Sequence, residues 1–304
     1  MSITFKPKTS VIRPYRREVI AGVGGAGKST SMGVVSKRPL VIDFDHRWPS
    51  DLVDKSDFPE FTETFTGLKA LCNDILAADS LPNDRIIVDT ATKVIEVIEQ
   101  HALETDCKGS KENFNAYSHG QKYVQQYFKE FLDLIDQIQA KHKITVTFIC
   151  HSKLKDQRNP TGEAYQKNCL DLTDKVSDRL KQWADYIGYI WFEVSVDAKA
   201  RRAIGENVRF ISFNENPAYE AKNSSPFTLP EKIEFDKEGA WAEVLFGSTQ
   251  PLLKELDELL PKLDEGVRKS ITEFIEANSV RSYGYAKLKE FVEIGKTKIK
   301  KEGK

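Results

Sequence analysis

The sequence predicts an α/β fold: an open, mostly parallel sheet flanked by helices, with a small helical appendage at the C-terminus. From residue 18 to about 213, short apolar runs alternate with longer segments of helical period, the pattern of parallel strands joined by crossover helices. A glycine-rich loop lies between the first of these runs and the first helix. The strands fall at 18–22, 40–44, 85–89, 145–150, 186–194 and 208–213. Val94, Ile95, Val97, Ile98 and Ala102 share one helix face; Tyr123, Tyr127, Phe128, Phe131, Leu132, Ile135 and Ile138 share that of a second, longer helix.

The segment 246–251 (Phe-Gly-Ser-Thr-Gln-Pro) reads as a linker, dividing a core at 1–247 from an appendage at 248–304. Within the appendage, Leu252, Leu253, Leu256, Leu259, Leu260 and Leu263 form one amphipathic run, and two more follow. Its lysine-rich end is either a solvated helix face or a tether for nucleic acid.

Composition excludes several classes. The 45 Lys and Arg against 46 Asp and Glu give a net charge of −1, so a polyanion must be held by local basic patches rather than by a global field. With 40% hydrophobic and 30% charged residues, the chain can bury a core and is not disordered. The longest charge-free apolar stretches, 144–150 and 186–192, fall far short of the roughly 20 residues of a membrane span. The basic N-terminus has no apolar run behind it, so the expected location is the cytoplasm. Cys72, Cys107, Cys150 and Cys169 are widely spaced without a C-x-x-C, which implies reduced thiols and no zinc cluster.

Gly22-Val23-Gly24-Gly25-Ala26-Gly27-Lys28-Ser29 is a full G-x-x-x-x-G-K-[ST] phosphate loop, with an apolar strand before it and a helix start after it. The loop's glycines let successive N–H groups point at a polyphosphate, and the helix N-terminus adds partial positive charge. Lys28 reaches the β- and γ-phosphates of such a ligand and Ser29 ligates Mg²⁺, while Thr30 borders the nucleotide without touching the ion. Asp89, at the end of Ile86-Ile87-Val88, is the expected second Mg²⁺ ligand. Asp43 and Asp45 share one side of the second strand's C-terminal end. Asp45 is placed to orient or deprotonate an attacking water; Asp43 either joins it or caps the following loop.

These motifs, in this order, resemble those of the RecA-type ATPases. The phosphate loop, Ile42-Asp43-Phe44-Asp45-His46, Val88-Asp89-Thr90 and Val146-Thr147-Phe148-Ile149-Cys150-His151 carry the resemblance. Three further segments, Tyr117 to Tyr123, Lys181 to Asp185 and Ala221-Lys222, are similar to phage-encoded nucleotide-binding proteins with a minimal RecA core, a group that includes single-strand annealing proteins. The resemblance covers about residues 13–245. It implies an ATPase using ATP and Mg²⁺, with His151 sensing the γ-phosphate and Lys222 inserted into the site of a neighbouring subunit. It therefore also implies a homo-oligomer, ring or filament, acting on single-stranded DNA in a host cytoplasm, with a single-strand DNA-binding protein as a further partner. Asp45 stands where RecA has glutamate, and Ser224 where DnaB-like helicases have arginine, so slow turnover is expected.

The polar stretch after His151 carries Lys153, Lys155 and Arg158, with Lys167 just beyond, and in RecA-like proteins this loop faces single-stranded DNA. An ordinary solvated loop fits the same composition. Cys107 to Lys111 form a candidate second side of that channel. Arg201, Arg202 and Arg209 surround an expected hairpin and line either a subunit interface or open solvent. Two other functions fit the phosphate loop: a DNA-annealing module in which nucleotide only sets assembly, and a small-molecule kinase, against which stands the lack of an arginine-rich lid.

Overall fold

The computed structural model describes residues 15–36, 38–48, 59–197, 202–204, 208–224, 229–235, 242, 255–256, 258–277 and 285–302. The expected linker at 246–251, with its domain boundary, Leu252, Leu253 and Arg201 lie outside the described residues.

In chain order the first elements are β1 (Arg17–Gly22), α1 (Lys28–Val35), β2 (Pro39–Asp43), α2 (Pro59–Thr62), α3 (Phe65–Ala77), β3 (Arg85–Asp89) and α4 (Ala91–Thr105). Next come α5 (Lys111–Asn115), α6 (His119–His142), β4 (Thr145–Gln157), β5 (Tyr165–Leu170), α7 (Asp174–Trp183) and β6 (Tyr186–Phe192). The remainder comprises β7 (Ser195–Asp197), β8 (Arg202–Ile204), β9 (Arg209–Ser212), β10 (Lys222–Asn223), β11 (Ile233–Glu234), α8 (Glu265–Ala277) and α9 (Tyr285–Glu302).

The main sheet has the order β11-β9-β6-β1-β4-β3-β2, with β10 paired to β6 and β5 to β4. β6, β1, β4, β3 and β2 are mutually parallel, so their C-terminal ends converge on one edge. The α/β class expected from the alternating pattern is the class observed. β9 is antiparallel to β6, within the mostly parallel sheet expected. Two details differ. The expected basic loop is a hairpin: β4 runs on to Gln157 and pairs with β5, Ser152 opposite Leu170 and Gln157 opposite Tyr165. β2 ends at Asp43, which places Asp45 on the bend beyond it.

Side chains alternate along the central strands, and both faces are covered. Val19, Ile42, Val88 and Phe148 pack against α3, α4, α6 and α7 on one face; Ile20, Val41, Ile87 and Ile149 pack with Met32 of α1 and Trp48 on the other. This two-sided burial is why the strands read as continuous apolar runs. At the opposite end from the converging C-termini, Glu18 is buried and paired with Arg85, and Thr147 donates to it at 2.9 Å. Burial alone would raise the Glu18 pKa, but Arg85, Arg16 and the Thr147 hydroxyl outweigh it and hold the carboxyl below its ordinary value. Leu256, Leu263, Ile271, Phe291 and Val292 form a separate small core in the C-terminal helices.

Candidate nucleotide site

The phosphate loop follows β1 directly, and its shape depends on two glycines in the left-handed region, Gly25 (φ 74°) and Gly27 (φ 96°). Gly27 is also the N-cap of α1 and supplies no side-chain hydrogen bond, so the first N–H groups of the helix face the loop without a side-chain acceptor. Lys28 is buried, and its Nζ donates to the carbonyls of Gly22 and Val23, both at 2.9 Å. Burial lowers its pKa, opposed by the nearby Asp89 carboxylate.

Register carries the other groups to the same edge. Gly22 lies beside His151 on β4, and Asp89 lies between Asp43 on β2 and Ile149 on β4. The Ser29 hydroxyl donates to Asp89 Oδ2 at 2.6 Å. Burial pushes the Asp89 carboxyl up to about 6; Asp43 and Asp45 push the same way, against the Ser29 hydrogen bond and Lys28. Asp43 Oδ1 accepts from Asp45 N at 3.2 Å and Oδ2 from Trp48 N at 2.8 Å, so this carboxylate shapes the bend, the capping alternative of the two left open by the sequence. Burial and the Lys28 charge lower the His151 pKa, which leaves its imidazole neutral at pH 7.

A cleft of about 410 Å³ is lined by Gly25, Gly27, Lys28, Ser29, Thr30, Asp43, Asp45, Asp89 and His151. That volume falls within the range of small-ligand pockets. The paired hydroxyl and carboxylate of Ser29 and Asp89 are hard oxygen donors of the kind Mg²⁺ takes, few in number as is usual when phosphates complete the shell. Gly22 ends β1 as the loop's first residue, and Ala26 is buried beneath the loop.

Four lining residues were not assigned to this site by sequence: Arg47, Thr90, Ile149 and Arg209. Thr90 also caps α4, accepting from Lys93 N at 3.3 Å. Arg209 was readable only with strand order in hand. Because β9 is antiparallel to β6, its first residue sits at the edge where β6 ends, paired with Phe192.

The remaining expected residues lie elsewhere. Lys222 pairs with Ile187 near the start of β6, away from the cleft, and its Nζ donates to the carbonyls of Lys181 (2.8 Å) and Ala184 (2.6 Å) at the end of α7. On the hairpin, Lys153 pairs with Asp171 at 2.6 Å, Lys155 with Asp174 at 2.8 Å and Lys167 with Glu215 at 2.5 Å. Arg158, at the exposed tip, has no ion pair among the described residues.

A phosphate loop on a parallel sheet, with a hydroxyl–carboxylate pair at the same edge, defines a P-loop nucleotide-binding protein. A family model described as an AAA domain matches residues 15–225, more than half of the chain, and the chain belongs to that family. Among solved structures, the crystal structure of the RadB recombinase is similar at 11% identity and a TM-score of 0.39, covering 74% of this chain and 90% of that one. No curated protein matches the chain. No helix among the described residues is long and apolar enough to cross a membrane.

Proposed function

We propose that the protein is a Mg²⁺-dependent RecA-like ATPase that binds single-stranded DNA and works as a homo-oligomer in phage-type recombination or strand annealing. What carries the ATPase half is the convergence of Lys28, Ser29, Asp89, Asp45 and His151 on one cleft. Ser29 and Asp89 hold Mg²⁺, which when bound neutralises charge on the β- and γ-phosphates. Lys28 exchanges its two carbonyl partners for phosphate oxygens. Asp45 takes a proton from the attacking water as the water oxygen bonds to the γ-phosphorus and the bond to the β–γ bridging oxygen breaks, leaving ADP and inorganic phosphate. His151, as a neutral imidazole, donates to the γ-phosphate. β4 continues from His151 into the hairpin, so one strand joins the cleft to the candidate DNA surface.

The DNA half rests on that surface. Tyr117 is fully exposed, with left-handed backbone (φ 49°), and lines an open groove of about 400 Å³ with Lys122, Lys175 and Asp174. A second groove shares Asp174 and leads to Lys155 on the hairpin, so an aromatic face and the basic hairpin lie on adjoining surfaces. Lys222 completes a neighbouring subunit's site in this reading, exchanging the carbonyls of Lys181 and Ala184 for phosphate as Lys28 exchanges those of Gly22 and Val23. Residues 1–247 are retained as the ATPase core and 248–304 as the appendage, a division that the separate C-terminal core supports.

The test is Mg-ATP turnover with and without single-stranded DNA, beside Lys28→Ala. DNA-stimulated turnover that vanishes in the variant supports the proposal. Annealing with turnover at background would select the assembly-switch alternative. Lys28-dependent phosphate transfer to a small molecule, indifferent to DNA, would select a kinase.

A further inference from the structure

Arg209 is a half-buried cation in the wall of the nucleotide cleft. Its guanidinium lies against the phosphate loop: a Cβ built on Gly27 would stand 2.7 Å from Arg209 Nη1 and 3.3 Å from the Phe235 ring. Two contacts fix it there. The guanidinium carbon sits 4.9 Å above the Phe192 ring, the residue opposite it on β6, and the Arg209 carbonyl accepts from Phe235 N at 2.8 Å.

No described carboxylate lies within ion-pair distance of this guanidinium, although Asp43, Asp45 and Asp89 line the same cleft. A half-desolvated guanidinium with no carboxylate partner among the described residues, held beside a loop that turns its N–H groups toward an anion, matches a phosphate in charge and in fork geometry. We infer that Arg209 contacts the phosphate chain of the bound nucleotide from within the same subunit, adding a cation to Lys28 and to Arg47, which lines the same cleft. This inference rests on the nucleotide-site reading above and adds a residue to it.

The test compares equilibrium binding of Mg-ATP and AMP to wild type, Lys28→Ala, Arg209→Gln and Arg209→Lys. The expected result is a loss of Mg-ATP affinity of about ten- to a hundredfold in Arg209→Gln, the range for a charge-assisted hydrogen bond. AMP affinity changes far less, and Arg209→Lys recovers part of the loss. Adding excess Lys28→Ala chains, which carry Arg209 but an impaired site, leaves the turnover of Arg209→Gln unchanged. Wild-type affinity in Arg209→Gln overturns the inference while leaving the site intact. Equal losses for both nucleotides reduce Arg209 to a structural role and also overturn it. Restoration by Lys28→Ala chains overturns the intramolecular assignment. A wild-type protein that binds no Mg-ATP fails at the site itself, separately from Arg209.

Discussion

Asp43 and Asp45 stand two positions apart and differ in what their carboxylates face. Asp43 spends both oxygens on backbone N–H groups and fixes the bend after β2. That bend brings Asp45 to the cleft, where no described donor occupies its carboxylate. Replacing Asp45 by Asn keeps the size and removes the proposed base, so kcat should fall by about 10²- to 10⁴-fold with Mg-ATP affinity nearly unchanged. A pre-steady-state measurement of phosphate release would check this. Asp45→Asn turning over at the wild-type rate would remove Asp45 from the mechanism.

Elements carry two kinds of consequence. At the starts of β1, β3 and β4, the cluster of Glu18, Arg85 and Thr147 is fully enclosed. Replacing Arg85 by Met leaves a buried carboxylate without its main counter-charge and should cost about 3–5 kcal/mol, read by denaturant unfolding. The folded pKa of Glu18 lies below the ordinary value of 4.5, so its contribution is present above that pH and is lost as pH falls through the folded pKa. The stability gap between wild type and Glu18→Gln should therefore narrow on acidification below about pH 4.5; a gap constant from pH 3 to 7 would contradict the linkage. The hairpin makes a different prediction. Three of its four expected cations already have carboxylate partners. Its salt dependence for single-stranded DNA should thus be shallower than the slope of about −0.7 per phosphate would give for four contacts, and Arg158→Ala should remove about one contact's worth. A full four-contact slope would mean that the ion pairs open on binding. Contiguity explains what was legible. The phosphate loop and the strand-ending Asp89 are local patterns, and parallel strands carry such ends to one edge. Arg209 and the hairpin were not legible in this way, because each depends on which strand pairs with which. α3 and α7 were not singled out either; α3 buries Phe65, Leu68 and Leu71 at helical spacing, a signal that was present.

In the whole molecule, two apolar layers hold a parallel sheet whose converging ends supply nearly every group of the cleft. The lysine expected to complete a neighbour's site is bound within its own chain, and an arginine of the same chain lies at the phosphate loop. Nucleotide binding through Lys28, Ser29 and Arg209 should therefore be a property of one subunit. The most direct measurement is calorimetric titration of Mg-ATP into wild type and Lys28→Ala across a protein dilution series. The account predicts one saturable site per chain, independent of protein concentration and lost in the variant. Equally tight binding by Lys28→Ala, or no binding by the wild type, would contradict it.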